Sequence, residues 1–321
     1  MSLVFWIFIF ILSLALLVKS ADWFVESAEK IGLALKISPF IIGVTIVAIG
    51  TSFPELASGI AAVLKGSTEI VVANAIGSNI ANILLIVGLS AVVARCLIVR
   101  RSLIDLDAPL LAASTVLFLF VIWDGRVVPR EGILLLLMFI IYLLYTFFHK
   151  REEKPEEKIV ETIEILPSRV ERRENEVEAE KVPEKIPPRL NSKLFLFLIL
   201  GIIGLIIGAN WTVESMLNIA EGLKISASLI AIIALAIGTS LPELVVSIQA
   251  AAKKKYEIAL GNIFGSNVFN ILLVAGVPAL IKPLIVDELT LGIALPFLII
   301  ATLLFIVSGI SQRIHIWEGL M

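Results

Sequence analysis

The chain has 321 residues, 59% of them hydrophobic, with a mean hydropathy of +1.01. A soluble globular domain carries roughly 45–50% apolar residues, so this composition describes a polytopic membrane protein. The net charge of -2 excludes nucleic acid as an electrostatic partner, and the single cysteine, Cys96, excludes a disulfide framework or a cysteine-based metal site.

Crossing a hydrocarbon core takes about 20 apolar residues at helical rise. Nine stretches qualify: Leu3–Val18, Pro39–Leu64, Ile70–Val93, Leu103–Trp123, Gly132–Phe148, Leu194–Ala209, Ala227–Ala252, Ile258–Ile281 and Leu289–Ser308. No lysine or arginine precedes the first, and its apolar run is long for a signal peptide, so it reads as a retained span. The second span contains "GTSFPE", which places Thr51, Ser52, Pro54 and Glu55 among residues suited to hydrocarbon. As local structure, Ser52-x-x-Glu55 matches a capping box with a proline in the first turn, which predicts a helix that stops and restarts at membrane depth. The third span carries Asn74, Ser78 and Asn82 four residues apart, hence on one face, with Asn79 off that stripe and expected to bond a neighbouring helix. Gly77 is expected to let helices approach closely. His149 and His315 lie at segment ends and read as juxtamembrane polar residues rather than ligands.

After the fifth span, Lys150–Asn191 is rich in Glu, Lys, Arg and Pro and has no core of its own, which reads as a solvated linker. Its acidic cluster, Glu152, Glu153, Glu156 and Glu157, lacks the spacing of a calcium loop, so no regulatory site is assigned there.

Beyond the linker the chain repeats itself. "GTSFPEL" at 50 returns as "GTSLPEL" at 238, and "GSNIANILL" at 77 returns as "GSNVFNILL" at 265, both at an offset of 188. The same offset joins "ADWFVES" at 21 to "ANWTVES" at 209. Ser240-x-x-Glu243 is therefore a second capping box, and Asn262, Ser266 and Asn270 a second stripe, with Asn267 off it and Gly265 beside it. Three units follow: a first membrane repeat of five helices over 1–149, the charged linker over 150–192, and a second membrane repeat over 193–321. Five spans separate each motif from its copy, so the copies enter the membrane from opposite faces, and such inverted repeats place a binding site at the midplane. Lysines and arginines concentrate after the odd-numbered spans, for example Lys253, Lys254 and Lys255, against Lys65 alone at the equivalent loop; this puts the N-terminus outside and the linker in the cytoplasm. The chain stops at "IHIWEGLM", where "PREGILLLLM" of the first unit opens a fifth span, so the second repeat has four helices and the tenth is missing.

A broken membrane helix exposes backbone carbonyls and amides that protein, water or an ion must satisfy. Carbonyls near Ala48 and Ala236, hydroxyls of Thr51, Ser52, Thr239 and Ser240, and carboxylates of Glu55 and Glu243 form an all-oxygen set suited to a hard cation. Calcium, with 6–8 oxygens in flexible geometry, fits better than magnesium, and no softer ligand is near to favour zinc or copper. Two carboxylates neutralise one divalent ion, and on its departure need monovalent cations or protons, since bare carboxylates in low dielectric are disfavoured.

The paired motifs, GTS-x-PE followed by GSN with a trailing asparagine, resemble the repeats of the cation/calcium antiporter superfamily, most closely the prokaryotic sodium/calcium exchangers. The resemblance implies an all-α fold of inverted five-helix repeats and alternating access at a central cluster where calcium and sodium compete. Position by position, it implies that Glu55 and Glu243 are the calcium carboxylates, completed by oxygen from Thr51 and Thr239. Ser52, Ser240, Ser78, Ser266, Ala48 and Ala236 would form flanking sodium sites, with Asn82 and Asn270 facing the same cavity. It also implies that the long first and sixth helices slide across the core. Asn270 stands where the potassium-coupled branch carries aspartate, which disfavours potassium co-transport.

The expectation is thus a multi-pass cell-membrane antiporter, not an enzyme and without a cofactor, that exchanges calcium for sodium in a lipid bilayer. Its rivals are a proton/calcium exchanger and a non-transporting cation sensor or scaffold. An intramembrane hydrolase would need a nucleophile beside a base or a paired-histidine metal site, and neither is visible.

Overall fold

A computed structural model describes residues 3–99, 107–149, 190–223 and 240–320. The linker expected over 150–192 and the first half of the seventh span, with Ala236 and Thr239, lie outside the described residues apart from the linker's last three positions. Among the described residues, seven helices are long and apolar enough to cross a membrane, and two shorter apolar helices, Ala108–Ile122 and Leu241–Ala252, join them. The protein is a multi-pass, mostly helical membrane protein.

The first helix, α1 (Leu3–Ala34), is 32 residues long, and its counterpart α8 (Ser192–Gly222) has 31. At 1.5 Å per residue each exceeds the roughly 30 Å hydrocarbon core, so each must tilt or project. They pack antiparallel on one another along a small-residue seam. Ideal Cβ atoms on Gly201 and Gly208 would stand 2.8 Å from Phe24 Cβ and 2.9 Å from Leu17 Cγ, and Ser13 hydrogen-bonds Thr212 at 2.9 Å. Small residues are what allow such closeness in lipid, where dispersion and hydrogen bonds rather than water exclusion hold helices together. The pair is peripheral: 17% of the apolar window of α1 is buried, against 83% for Tyr256–Ile281.

The core spans are α2 (Pro39–Ile42) and α3 (Ala48–Leu64), joined by a π turn at Gly43–Val47; α4 (Glu69–Ile80) and α5 (Val87–Ala94), joined by one at Ala81–Ile86; α9 (Leu241–Ala252); and α10 (Tyr256–Phe269) and α11 (Ala275–Ile281), joined by one at Asn270–Val274. Outside them lie α6 (Ala108–Ile122), α7 (Pro129–His149) and α12 (Leu295–Ile310). A further π turn, Thr290–Ala294, leads into α12 behind Asp287, whose carboxylate accepts from the Thr290 amide at 2.7 Å and is held below its ordinary pKa by that bond. The backbones of α2 and α10 nearly touch. A Cβ on Gly261 would stand 2.7 Å from the Phe40 carbonyl and 3.0 Å from Gly43 Cα.

The expected stop and restart at the first GTS-x-PE motif takes a different form. Helix α3 continues through Pro54, and the irregularity is the π turn seven to eleven residues earlier. Lipid offers no water to a frayed helix end, so bending with local π adjustment, re-satisfied by neighbours, wins over a break. Neither capping box forms: Ser52 lies inside α3 and bonds across the core, while Ser240 precedes α9 without bonding its amides.

Four short strands tie the halves together. β1 (Cys96–Ile98) pairs antiparallel with β4 (Arg313–His315), and β2 (Arg126–Val127) with β3 (Leu284–Ile285). Adding or subtracting 188 converts the pair Leu97↔Ile314 into Ile285↔Arg126, and Cys96↔His315 into Leu284↔Val127, so one register is the image of the other. Loops after odd-numbered spans meet odd ones, and even meet even. The same holds for Lys253, after the seventh span, which pairs with Asp22 at 2.7 Å and Glu26 at 3.1 Å at the end of the first, and for Lys255, which pairs with Glu29 at 2.6 Å. After β4, α13 (Ile316–Leu320) opens where the first unit has α7. Both openings use one device: the Val128 amide bonds Glu131 and the His315 amide bonds Glu318, each at i,i+3.

The β1–β4 register has a direct test. Cys96 is the chain's one cysteine and His315 is its cross-strand partner. On mild oxidation, H315C is expected to form an internal disulfide with Cys96, lost to maleimide labelling and restored by reductant. Full labelling of both thiols after oxidation would contradict the register.

Candidate cation site

Four segments deliver polar side chains into the middle of the bundle. Helix α3 brings Thr51, Ser52 and Glu55, and α9 brings Glu243 behind Ser240; all are buried, both glutamates to 1% exposure. The α4 stripe brings Ser78 and, at its π turn, Asn82; the α10 stripe brings Asn262, Ser266 and, opening the next π turn, Asn270. Helical spacing of four aligns each stripe along one face. The Asn270 segment packs on α3, which carries Glu55, and the Asn82 segment packs on α9, which carries Glu243. Asn74, at the end of the first stripe, is half-buried.

The halves interlock by hydrogen bonds. The Ser52 hydroxyl lies 2.7 Å from Glu243 Oε1 and 2.9 Å from Ser266 Oγ, so one side chain of the first half bridges two of the second. Thr51 Oγ1 has acceptors in its own Ala48 carbonyl at 3.3 Å and Asn262 Oδ1 at 3.1 Å. Asn262 Nδ2 donates to Ser247 Oγ at 2.9 Å and to the Glu243 carbonyl at 3.4 Å. Asn79 donates to the Asn267 carbonyl at 2.9 Å, across 188 positions. The off-stripe bonding expected of Asn79 is thus present, to its own counterpart, whereas the Asn267 side chain has no hydrogen-bond partner among the described residues.

The polar atoms left over are more telling. Among the described residues, both oxygens of Glu55, Glu243 Oε2, Ser240 Oγ and the amide groups of Asn82 and Asn270 are buried without a hydrogen-bond partner. A buried polar group without a partner costs about 1–3 kcal/mol, and a buried charge more. Neither glutamate has an ion-pair partner among those residues, and Glu55 feels Glu243 as a repelling charge. An uncompensated acidic pair ringed by hydroxyl and amide oxygens fits a dehydrated hard cation. Among the described residues it holds no cluster of three or more His, Cys, Asp or Glu side chains, so further ligands from them would be neutral oxygens.

Most of the residues named from sequence converge here: Glu55, Glu243, Thr51, Ser52, Ser240, Ser266 and Ala48, with Ser78, Asn82 and Asn270 on the facing stripes. Thr239 and Ala236 lie outside the described residues. Gly265 sits against Val44 and Ala48 as expected, while a Cβ added to Gly77 would meet no atom of another described element within 4 Å, so the close approach expected there is not seen. Sequence reasoning left Asn262 outside the site set and overlooked Ser247. The signal for Ser247 was its position one turn after Glu243; its counterpart is Gly59, so comparing the repeats concealed it.

The fold is that of a multi-pass membrane protein with a buried oxygen-rich cluster in its core. The chain matches the family described as sodium/calcium exchanger protein over residues 5–148 and 193–321. It is 35% identical to the sodium/calcium exchanger MaX1 of Methanosarcina acetivorans, over 98% of this chain and 94% of that one, and 35% identical to the inner membrane protein YrbG of Escherichia coli, over 92% and 86%. Solved structures of the sodium-calcium exchanger NCX_Mj superpose with a TM-score of 0.75 at 30% identity, covering 99% of this chain and 95% of that one. The chain belongs to the sodium/calcium exchanger family.

The packing that brings the stripes together is testable at Gly265. An added Cβ would lie 2.6 Å from Ala48 Cβ and closer still to the Val44 carbonyl, neither of which is a flexible chain end. G265A is expected to lower stability in detergent by about 1–3 kcal/mol, read as a lower melting temperature. An unchanged melting curve would mean that α10 and α3 are not in contact there.

Proposed function

We propose that this protein exchanges calcium for sodium by alternating access, with Glu55 and Glu243 binding one calcium ion between the two halves. The observation that carries the reading is the uncompensated acidic pair: two buried carboxylates from opposite repeats, Glu243 bonded by Ser52 and both Glu55 oxygens without a hydrogen-bond partner, with no counter-charge among the described residues. Two negative charges in a lipid-enclosed cavity call for two positive ones, and one calcium or two sodium ions supply them equally. Thr51 and Thr239 complete the calcium site. Ser52, Ser240, Ser78, Ser266 and the carbonyls of Ala48 and Ala236 hold sodium, and Asn82 and Asn270 face the cavity with neutral oxygen.

The two membrane units, 1–149 and 193–321, are inverted copies about an axis near the Asn79–Asn267 bond, and the register exchange of the strand pairs supports this. The peripheral α1–α8 pair is the element that moves across the core to open one side or the other. The cell membrane holds the protein with its N-terminus outside and the 150–192 linker in the cytoplasm, on the lysine-rich side where Lys253 and Lys255 meet α1.

Two experiments follow. In proteoliposomes, an imposed outward sodium gradient is expected to drive radiolabelled calcium uptake, and E55Q and E243Q are each expected to reduce it at least about a hundredfold, as loss of a charged ligand in low dielectric should. Uptake retained in either variant would remove that glutamate from the site; uptake driven by a pH gradient with no sodium would replace sodium by protons. For orientation, in a C96A background a membrane-impermeant maleimide is expected to label D124C in intact cells and K254C only after permeabilisation. The opposite pattern would invert the topology.

A further inference from the structure

A hydroxyl binds a cation through its lone pairs and repels it through its hydrogen, so the destination of the hydroxyl proton decides whether the oxygen can serve as a ligand. We infer that Asn262, oriented by the Glu243 carbonyl and held there by Ser247, draws the Thr51 proton away from the cavity and so makes Thr51 a cation ligand. This rests on the reading above that Thr51 borders the cation.

The argument begins with the amide. Its two ends are nearly equal in size, so only hydrogen bonds decide which one faces α3. On the α9 side, Nδ2 meets Ser247 Oγ at 2.9 Å and the Glu243 carbonyl at 3.4 Å, which together can use both of its hydrogens; the carbonyl can only accept and so sets the orientation, and the hydroxyl, able to donate or accept, strengthens it. Oδ1 is left to face Thr51 and accepts from its hydroxyl at 3.1 Å. Thr51, Ser247 and Asn262 are all 0% exposed, so water cannot stand in for any partner. Turned by half a rotation, the amide would offer a hydrogen to Thr51, whose own proton would then swing elsewhere.

Two other acceptors compete for that proton. The Ala48 carbonyl is more distant, at 3.3 Å, and is itself one of the oxygens proposed to bind sodium. The Glu243 carboxylate is also within hydrogen-bonding reach of Thr51, but a bound calcium ion would claim it. When the cavity fills, Asn262 Oδ1 is therefore the acceptor that remains. Ser247 is the anchor of this arrangement, because without it Nδ2 keeps only its longer bond.

Ser247 has no hydroxyl counterpart in the other half: at the offset of 188 it corresponds to Gly59, and Asn262 to the half-buried Asn74. Ser247 is thus not a scaffold feature shared by both copies. It makes Ser247 and Asn262 positioning residues that act through Thr51, on the same side of the cavity as the Ser52–Glu243 bond.

The test is a double-mutant cycle on the full chain, read by sodium-driven calcium uptake and by calcium-dependent thermal stabilisation of the purified protein. S247A is expected to raise the half-saturating calcium concentration about three- to tenfold, the worth of one hydrogen bond, with the maximal rate little changed. S247T, which restores an oxygen at the same place, is expected to recover most of the affinity. In a T51V background S247A should add nothing, because the hydroxyl it orients is gone. Additive losses, or an unchanged half-saturation in S247A beside a functional wild type, would overturn the inference and leave the exchanger reading intact. Unchanged half-saturation in T51V would remove Thr51 from the site and this inference with it. A wild type that shows neither flux nor calcium stabilisation would overturn the exchanger reading itself, and the inference would fall as its dependent.

Discussion

The structure turns on two carboxylates placed where lipid forbids uncompensated charge. Glu55 and Glu243 are 1% exposed, come from different halves of the chain, and repel one another. The Ser52 hydroxyl answers one of their four oxygens, Glu243 Oε1, at 2.7 Å. Every other feature of the core either brings these groups together or lowers the cost of holding them: hydroxyls and amides surround them, and α10, buried along most of its length, seals them from lipid. A core built for stability alone would place leucine at both positions, since apolar packing of similar volume does as well as a buried ionic group or better.

Close backbone contact is what makes the convergence possible. Gly43 faces Gly261, and Gly265 faces Val44 and Ala48, so α10 lies against α2 and the start of α3 with no side chain between them. That closeness sets Thr51 within 3.1 Å of Asn262 and Ser52 within 2.9 Å of Ser266. The π turns serve the same end. Those at Gly43–Val47, Ala81–Ile86 and Asn270–Val274 each widen one turn near a motif, and the last two coincide with the last polar residue of each stripe. Sequence, backbone irregularity and ligand placement are thus linked position by position.

Much of this was legible in the amino-acid order. A duplication with a constant offset fixes equivalences without any structure, and the parity of five intervening spans fixes which loops can meet. The strand pairs and the Lys253 and Lys255 ion pairs obey that parity. The stripes were legible because spacing by four is a helical property that survives in any fold. What sequence logic misjudged was local. Ser-x-x-Glu has a familiar meaning in water, where a helix end can be solvated, and that meaning fails inside a bilayer: Ser52 spends its hydroxyl on Glu243 and Ser266, and α3 runs on through Pro54. Ser247 was invisible for another reason. Repeat comparison finds what two copies share, and Ser247 stands where the other copy has glycine.

That asymmetry bears on how exchange could be enforced. With Asn270 neutral, the cavity carries two acidic groups, Glu55 and Glu243, and its charge is balanced by one divalent or two monovalent cations. On the proposed reading, a filled cavity of either kind is close to neutral, whereas an empty one leaves two charges in low dielectric with only neutral hydroxyls to offset them. Moving the barrier from one side to the other changes the solvent near the site, and the empty site suffers most because nothing screens its charge when the cavity closes. Loaded forms therefore reorient at lower cost than the unloaded form, and this difference is what couples the inward movement of one ion to the outward movement of another. No lever between distant sites is required, since both ions answer to the same two carboxylates.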